Sequence, residues 1–120
     1  MKHILHIDTY QHMNESIANP SWEREGTRVT LADIEPHLEE ESLIRPDSIA
    51  HLLIPTERDP RRVAQANLDH PIILTRDKGE LASILDGQHR VTKAIEQGKW
   101  VKARQLDLDT VPEHIAKVLR

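Results

Sequence analysis

Two aliphatic runs on either side of a short turn set the strongest limit on how this chain folds. The runs are residues 71–75 and 81–85, and residues 77–80 between them read Asp-Lys-Gly-Glu, which is turn chemistry. Apolar runs of this length bounded by turn residues are typical of two paired, buried strands. The sequence therefore predicts a β-hairpin over residues 71–85.

The segment after this hairpin has the pattern of a helix. Its inward-facing residues at helical spacing are Val91, Ala94 and Ile95. We predict a helix over residues 88–97, with Gly98 as its C-terminal stop. Residues 99–108 predict a third strand, in which we expect Trp100 to be half-buried.

Shorter signals predict three further helices. The residue pairs that mark their starts are Thr30 with Asp33, Asp59 with Pro60, and Thr110 with Glu113. Residues 49–54 fit either a strand or a helix. Near the N-terminus, residues 3–10 predict a strand, and residues 11–28 lack periodicity and predict a loop or arm that Trp22 pins to the body.

The composition limits the chemistry of the chain. With 38% hydrophobic residues, 2% aromatics and no Phe, the core must be aliphatic. The chain has no Cys, which excludes disulfides, thiolate metal ligands and thiol nucleophiles. The net charge of -4 argues against a large nucleic-acid footprint. Because we find neither a signal peptide nor an apolar run of membrane-spanning length, we expect a cytoplasmic protein with no membrane partner.

The junction at residues 86–90, Asp-Gly-Gln-His-Arg, joins a predicted strand to a predicted helix. The first amides of a helix have no acceptor within it, and the helix dipole adds positive potential, so an anion is the natural ligand there. Gly87 permits a sharp turn and a close approach, and His89 and Arg90 add donors. Lys93 could add a charge and Thr92 a hydroxyl. The junction therefore predicts a phosphate site.

The same residues also have an ordinary structural interpretation. Asp86 can cap the helix, His89 can be a surface residue, and Arg90 can pair with a carboxylate such as Glu57. Local pattern leaves both interpretations open and names neither a nucleotide nor a reaction.

At these residues the chain resembles the ParB/sulfiredoxin-like superfamily. The resemblance rests on Pro71-Ile72-Ile73-Leu74, a turn containing Gly79, Ile84-Leu85-Asp86-Gly87-Gln88-His89-Arg90, Gly98 and a closing strand, with Asp59-Pro60-Arg61-Arg62-Val63 as the preceding short helix. It implies an α+β fold, a small mixed β-sheet flanked by helices, over residues 29–120, with residues 1–28 as a separate N-terminal strand and arm.

The resemblance also implies a nucleotide ligand, ATP, ADP or CTP, with Mg²⁺ as a further expected cofactor. By the resemblance, Gly87, His89 and Arg90 would contact its phosphates. Gln88, Thr92 and Lys93 complete the predicted phosphate-binding set. Asp86 would orient the loop or assist a metal ion, and His89 joins it as a catalytic candidate. Glu57 matches the position of the general base in the superfamily's kinases, and a surface salt bridge to a neighbouring arginine is its alternative interpretation.

Weaker candidates lie elsewhere. Glu39, Glu40 and Glu41 are secondary choices for a base, and a solvated helix end is their ordinary interpretation. His70 could face the site, but a plain loop histidine is the simpler interpretation. For His3, His6 and His12 we predict no metal site, since the first two are spaced for a helix in a segment that looks like a strand.

Three classes of function follow, in order of preference. The first is a nucleotide-dependent phosphotransferase or nucleotide hydrolase, and the second is a non-catalytic nucleotide sensor or protein-interaction module. The third is DNA binding or cleavage through basic residues of the second half, namely Arg58, Arg61, Arg62, Arg90, Lys93, Lys99, Lys102 and Arg104. Sulfiredoxin chemistry is excluded because Gln88 stands where a Cys is needed, and we do not expect a complete partition protein. A homodimer is one way to complete an acceptor pocket in so short a chain.

Overall fold

A computed structural model describes residues 5–6, 20–55 and 58–120 of the chain. The strands are β1 (Leu5–His6), β2 (Ser21–Arg24), β3 (Thr27–Thr30), β4 (Ser42–Ile44), β5 (Ile72–Asp77), β6 (Glu80–Asp86) and β7 (Val101–Asp107). The helices are α1 (Leu31–Ile34), α2 (Pro60–Gln65), α3 (Gln88–Gln97) and α4 (Glu113–Leu119), with 3₁₀ segments at Glu35–His37 and Pro46–Leu52.

The central sheet has four strands in the order β4-β7-β5-β6 and is mixed. β5 and β6 form the predicted antiparallel hairpin, β7 runs parallel to β5, and β4 runs antiparallel to β7. A parallel neighbour needs a crossover connection, and α3 provides it between β6 and β7. The fold is therefore α+β with a small mixed sheet flanked by helices, as the sequence predicted.

Alternation along the strands divides the core between the two faces of the sheet. Ile72 and Leu74 point into one cluster with α3, whereas Ile73 points into the other with α4. The α3 side contains Ile49, Ile72, Leu74, Ile84, Val91, Ala94, Val101 and Ala103. Both faces are covered, so this small sheet buries apolar side chains on each side.

Part of the predicted N-terminal arm is instead a β-hairpin, so the loop prediction is wrong for residues 21–28. β2 and β3 pair through a turn at Glu25 and Gly26, both with positive φ, as a type I′ turn requires. Trp22 does hold this segment to the body, since its side chain is only 1% exposed. Residues 11–19 lie outside the described part, and the boundary predicted at residue 28 falls within β3.

The predicted helix starts have mixed outcomes. Thr30 and Asp33 form a reciprocal capping box, and Asp59 accepts a hydrogen bond from Arg61 N–H, so two predicted caps are confirmed. The Thr110–Glu113 box is wrong, because Thr110 donates to the Asp107 carbonyl and the last helix begins after a proline. The ambiguous residues 49–54 lie largely in the second 3₁₀ segment.

Helix α3 runs over residues 88–97 and ends at Gly98 with φ 64, as predicted. Two side chains near it are more exposed than expected. Ile95 is 39% exposed and Trp100 is 57% exposed, so neither belongs to the core. The inward stripe of α3 consists of Val91 and Ala94 only.

We predict that the N-terminal hairpin contributes to the stability of the whole domain. Replacing Trp22 by Ala should lower the free energy of unfolding by about 3–5 kcal/mol, because it empties a buried aromatic site. Trp100→Ala, which removes the same side chain from an exposed position, should change it by less than about 0.5 kcal/mol. Urea denaturation of both variants followed by circular dichroism makes the comparison; equal effects would contradict it.

Candidate functional site

The turn from β6 into α3 depends on Gly87. Its φ is 109°, which a residue with a side chain rarely adopts. A Cβ at this position would lie 2.8 Å from the Cβ of Ile72 and 3.3 Å from its Cα. The missing side chain therefore makes room for the first residue of β5, and the space that a Cβ would fill is occupied by the protein itself.

The N-terminus of α3 has no side-chain cap. Gly87 is its N-cap residue and offers no side-chain oxygen, so the interpretation of Asp86 as the cap is wrong. The Val91 amide donates to the Gly87 carbonyl at 3.0 Å. The amides before Val91 consequently have no acceptor within the helix, and the dipole of a ten-residue helix gives this end positive potential.

Arg90 binds the start of β5. Its guanidinium donates to the Pro71 carbonyl, to the His70 carbonyl at 3.4 Å and to the Asp86 carboxylate at 3.4 Å. The Arg90 side chain is 19% exposed, so it is largely covered. Its carboxylate partner among the described residues is Asp86, and together Asp86 and Arg90 hold the turn against β5.

Other residues of the motif helix also bind the chain's own backbone. Gln88 accepts a hydrogen bond from the Ile54 amide at 3.0 Å and donates to the Ile84 carbonyl at 3.4 Å. Lys93 donates to the carbonyls of Ala64 and Ala66 at 2.9 and 2.7 Å, which closes the C-terminal end of α2. These side chains fix the elements around the first turn of α3.

A cavity of about 340 Å³ lies beside this first turn. Its polar lining is Arg58, Gln88, His89, Thr92 and Glu96, and its apolar lining is Ala50, Leu53, Ile54, Pro55 and Ile95. The volume is in the range of small-molecule sites, and the mixture of apolar walls with a few polar groups is typical of them. We call this space the α3 cavity.

Arg58 and Glu96 form an ion pair at 3.6 Å on the rim of the α3 cavity. The same two residues line a second cavity of about 360 Å³ between α2 and α3. Their side chains are 64% and 54% exposed, so the pair contributes little to stability. The Arg58 guanidinium can therefore turn toward an anion at low cost.

The structure brings some predicted site residues together and separates others. Gln88, His89 and Thr92 line the α3 cavity, whereas Arg90 and Lys93 do not. Lys93 lines the second cavity instead. Glu57 lies outside the described residues, and so do His3 and His12; His6 is described only as a β-strand residue.

The weaker candidates lie away from the α3 cavity. Glu39 binds the Arg76 guanidinium at 2.5 Å, and this hydrogen bond holds the pKa of the Glu39 carboxyl below its ordinary value. Glu40 and Glu41 are exposed, and the side chain of His70 is exposed as well. Within residues 20–55 and 58–120, no group of three or more His, Asp or Glu side chains is arranged to hold a metal ion.

Sequence reasoning missed the apolar half of the cavity. The helical period predicts that Ile95 lies in the core, but its side chain is 39% exposed. Ile54, which is 47% exposed, belongs to an apolar run that predicts only a strand or a helix. Helix α3 has one aliphatic residue, Ile95, in addition to the two that face the core. This extra residue is the signal that could have indicated an apolar cavity wall. Its counterpart, the segment of Leu53 to Pro55, is brought there by the hydrogen bond from Ile54 to Gln88.

Several basic residues of the second half are held by the chain itself. In the described structure four of them donate to backbone carbonyls: Arg90, Lys93, Lys102 and Arg104. Arg104, for example, donates to the Glu39 carbonyl at 2.9 Å and to the Glu35 carboxylate at 2.8 Å. Basic side chains that are already bound to carbonyls and carboxylates of the chain itself add little attraction for a phosphate backbone.

Comparisons with known proteins give no relative: no family model, no curated protein and no solved structure matches the chain. No helix in the described part of the chain is long and apolar enough to span a bilayer.

We predict that Gly87 is far less replaceable than another glycine with positive φ. Gly87→Ala should lower the free energy of unfolding by about 3 kcal/mol, from backbone strain together with the clash against Ile72. Gly79 also has a positive φ, 80°, but nothing lies within 4 Å of its missing Cβ. Gly79→Ala should therefore cost only about 1 kcal/mol, and urea titrations that give equal losses would contradict this account.

A second prediction concerns acid pH. Because its folded-state pKa is lowered, the Glu39 carboxylate stabilises the fold above its ordinary pKa, and this contribution is lost as the pH falls through the folded value. Arg76→Gln should raise the Glu39 pKa, which an NMR titration of its side-chain carboxyl carbon measures. An unchanged titration curve would show that Arg76 does not control this group.

Proposed function

We propose that this domain binds a nucleotide at the α3 cavity, with the phosphates against the first turn of α3. One observation carries the proposal: a ten-residue helix without a side-chain cap begins beside a cavity of about 340 Å³ that is lined by both polar and apolar residues. A nucleotide has the same two parts, an anionic phosphate chain and a flat, weakly polar base.

Different lining residues would contact these two parts of the nucleotide. The backbone amides before Val91 and the His89 imidazole would offer N–H donors to phosphate oxygens, and the Arg58 guanidinium would add a positive charge. Leu53, Ile54 and Ile95 offer aliphatic contact to a base. Arg58 would exchange its exposed partner Glu96 for a phosphate, which is favourable because a phosphate carries more negative charge than a carboxylate.

We further propose that the domain is ParB/sulfiredoxin-like. Supporting this are the mixed sheet, the β5-β6 hairpin, and an Asp-Gly-Gln-His-Arg run where β6 passes into α3. For this chain, however, the contacts assign the motif residues different roles. Gly87, Asp86 and Arg90 build the turn, Gln88 fixes the cavity wall, and His89 is the motif residue best suited to meet a phosphate.

Phosphotransfer or hydrolysis is the activity we propose for this site, with Glu57 as general base. Pro55 and Arg58, the described residues that flank residues 56–57, both line the α3 cavity. Within the described part, Glu96 is the one carboxylate on its lining, so Mg²⁺ would arrive on the nucleotide and be held mainly by the phosphates. Its contribution would be charge neutralisation at the phosphoryl group.

The binding proposal is tested by thermal denaturation with ATP, ADP and CTP, each with and without Mg²⁺. A nucleotide at one hundred times its dissociation constant should stabilise the domain by about 2.7 kcal/mol. His89→Ala should weaken binding about tenfold or more, because an N–H donor to the phosphate is lost. His70→Ala, which removes an imidazole from an exposed position away from the cavity, is the matched control and should bind normally.

Arg90→Ala should behave differently from His89→Ala. It should lower the free energy of unfolding by about 2 kcal/mol, because the carbonyls of His70 and Pro71 lose a charged donor. At a temperature where this variant is still folded, it should keep most of its nucleotide affinity. A stable Arg90→Ala protein that binds no nucleotide would instead make Arg90 a direct phosphate ligand and contradict the assignment.

A turnover assay distinguishes an enzyme from a nucleotide sensor. Glu57→Gln should bind nucleotide with unchanged affinity and release no phosphate or phosphorylated product. Normal turnover by this variant would remove Glu57 from the mechanism. Binding without product by the unaltered protein over long incubation would favour a nucleotide sensor.

A further inference from the structure

The outer edge of β4 carries a pattern of charge that fits a second copy of itself. β4 is the terminal strand of the central sheet, and no strand of the described residues pairs with its outer edge. An unpaired edge presents a row of backbone donors and acceptors to solvent and is a template for another strand. Residues 41–43 and Arg45 are exposed, and Ile44 is partly buried.

Two exposed apolar side chains lie near this edge. Leu43 is 61% exposed and pairs with Lys102 of β7. Trp100 is 57% exposed and immediately precedes β7, two residues before Lys102, so continued strand alternation would place it on the face of Leu43. Exposed tryptophan and leucine near an open sheet edge are a common feature of interaction surfaces.

The charges around Leu43 are of opposite sign. Glu41 precedes it by two residues and Arg45 follows it by two, so a strand extended by one residue at each end of β4 would place all three side chains on one face. Arg45 has extended backbone angles and so can continue the strand. Its partner within the chain is Asp47 at 3.8 Å, and both side chains are about two-thirds exposed, so this contact competes weakly.

We propose that β4 pairs antiparallel with β4 of a second copy of this chain, about a two-fold axis at Leu43. In this register Leu43 lies opposite Leu43, and Glu41 of each copy lies opposite Arg45 of the other. Two ionic cross-strand pairs then flank one apolar pair, with each Trp100 beside them. The two central sheets become one continuous eight-stranded sheet.

The charges also select this register. A shift by two residues in either direction would place Glu41 or Arg45 opposite Leu43 and separate both ionic pairs. Pro46 has no amide hydrogen and ends the pairing on one side. The paired segment is thus limited to residues 41–45, and a short contact of this kind makes a weak, concentration-dependent dimer.

The test is sedimentation velocity on the whole chain from about 10 µM to about 1 mM, the range in which weak interfaces become occupied. The unaltered protein should pass from monomer toward dimer. The single variants E41R and R45E should each raise the dimer dissociation constant about tenfold, because both ionic pairs become repulsive. E40R is the control for E41R. It makes the same change in net charge but places it on the alternate face, so this variant should dimerise normally.

Two experiments that restore the opposite charges across the interface test this register specifically. The double variant E41R/R45E should dimerise as the unaltered chain does, and an equimolar mixture of E41R with R45E should form a heterodimer, because each charge again meets its opposite. All these positions are exposed, so circular dichroism at low concentration should show unchanged folding. A chain that stays monomeric to about 1 mM, single variants without effect, or restorations that fail would each overturn the proposal.

Discussion

The contact between Gly87 and Ile72 is the constraint on which the geometry of the α3 cavity depends. Because Gly87 has no Cβ, the end of β6 lies directly against the start of β5, and the chain leaves the sheet with φ 109°. That angle sets the direction of α3 and therefore where the amides of its first turn point. Arg90 reinforces the same contact by binding the carbonyls of His70 and Pro71. A residue with a side chain at position 87 would move the helix, and with it every lining residue that α3 contributes.

The five residues of the Asp-Gly-Gln-His-Arg motif thus have two kinds of role. Most of them build the junction: Asp86 and Arg90 form an ion pair across one turn, and Gln88 binds the Ile54 amide and so fixes the opposite wall. His89 lines the cavity. The proposed phosphate site would depend on oriented backbone amides more than on cationic side chains, which agrees with the modest net charge of -4.

The sequence was a good guide to elements whose signals are local. The β5-β6 hairpin, the limits of α3 and the caps at Thr30 and Asp59 all follow from turn residues, helical period or side-chain hydrogen bonds within a few positions. The sequence predictions fail where contacts between residues far apart in the sequence determine the structure. Nothing local distinguishes an Arg90 that holds phosphate from one that holds the Pro71 carbonyl, and nothing local shows that Ile95 faces a cavity. The β2-β3 hairpin was missed because its strands are short and polar, and the burial of Trp22 holds them in place.

The central claim is that the first turn of α3 receives a phosphate, and NMR of the ¹⁵N-labelled protein tests it residue by residue. Titration with ATP and Mg²⁺ should shift the backbone amides of residues 88–91 most strongly, followed by those of Ile54 and Ile95, in a saturable manner. The amides of the remote turn at Lys78 and Gly79 should stay in place. Saturable shifts confined to other surfaces, or no shifts at residues 88–91 with nucleotide in large excess, would contradict the account.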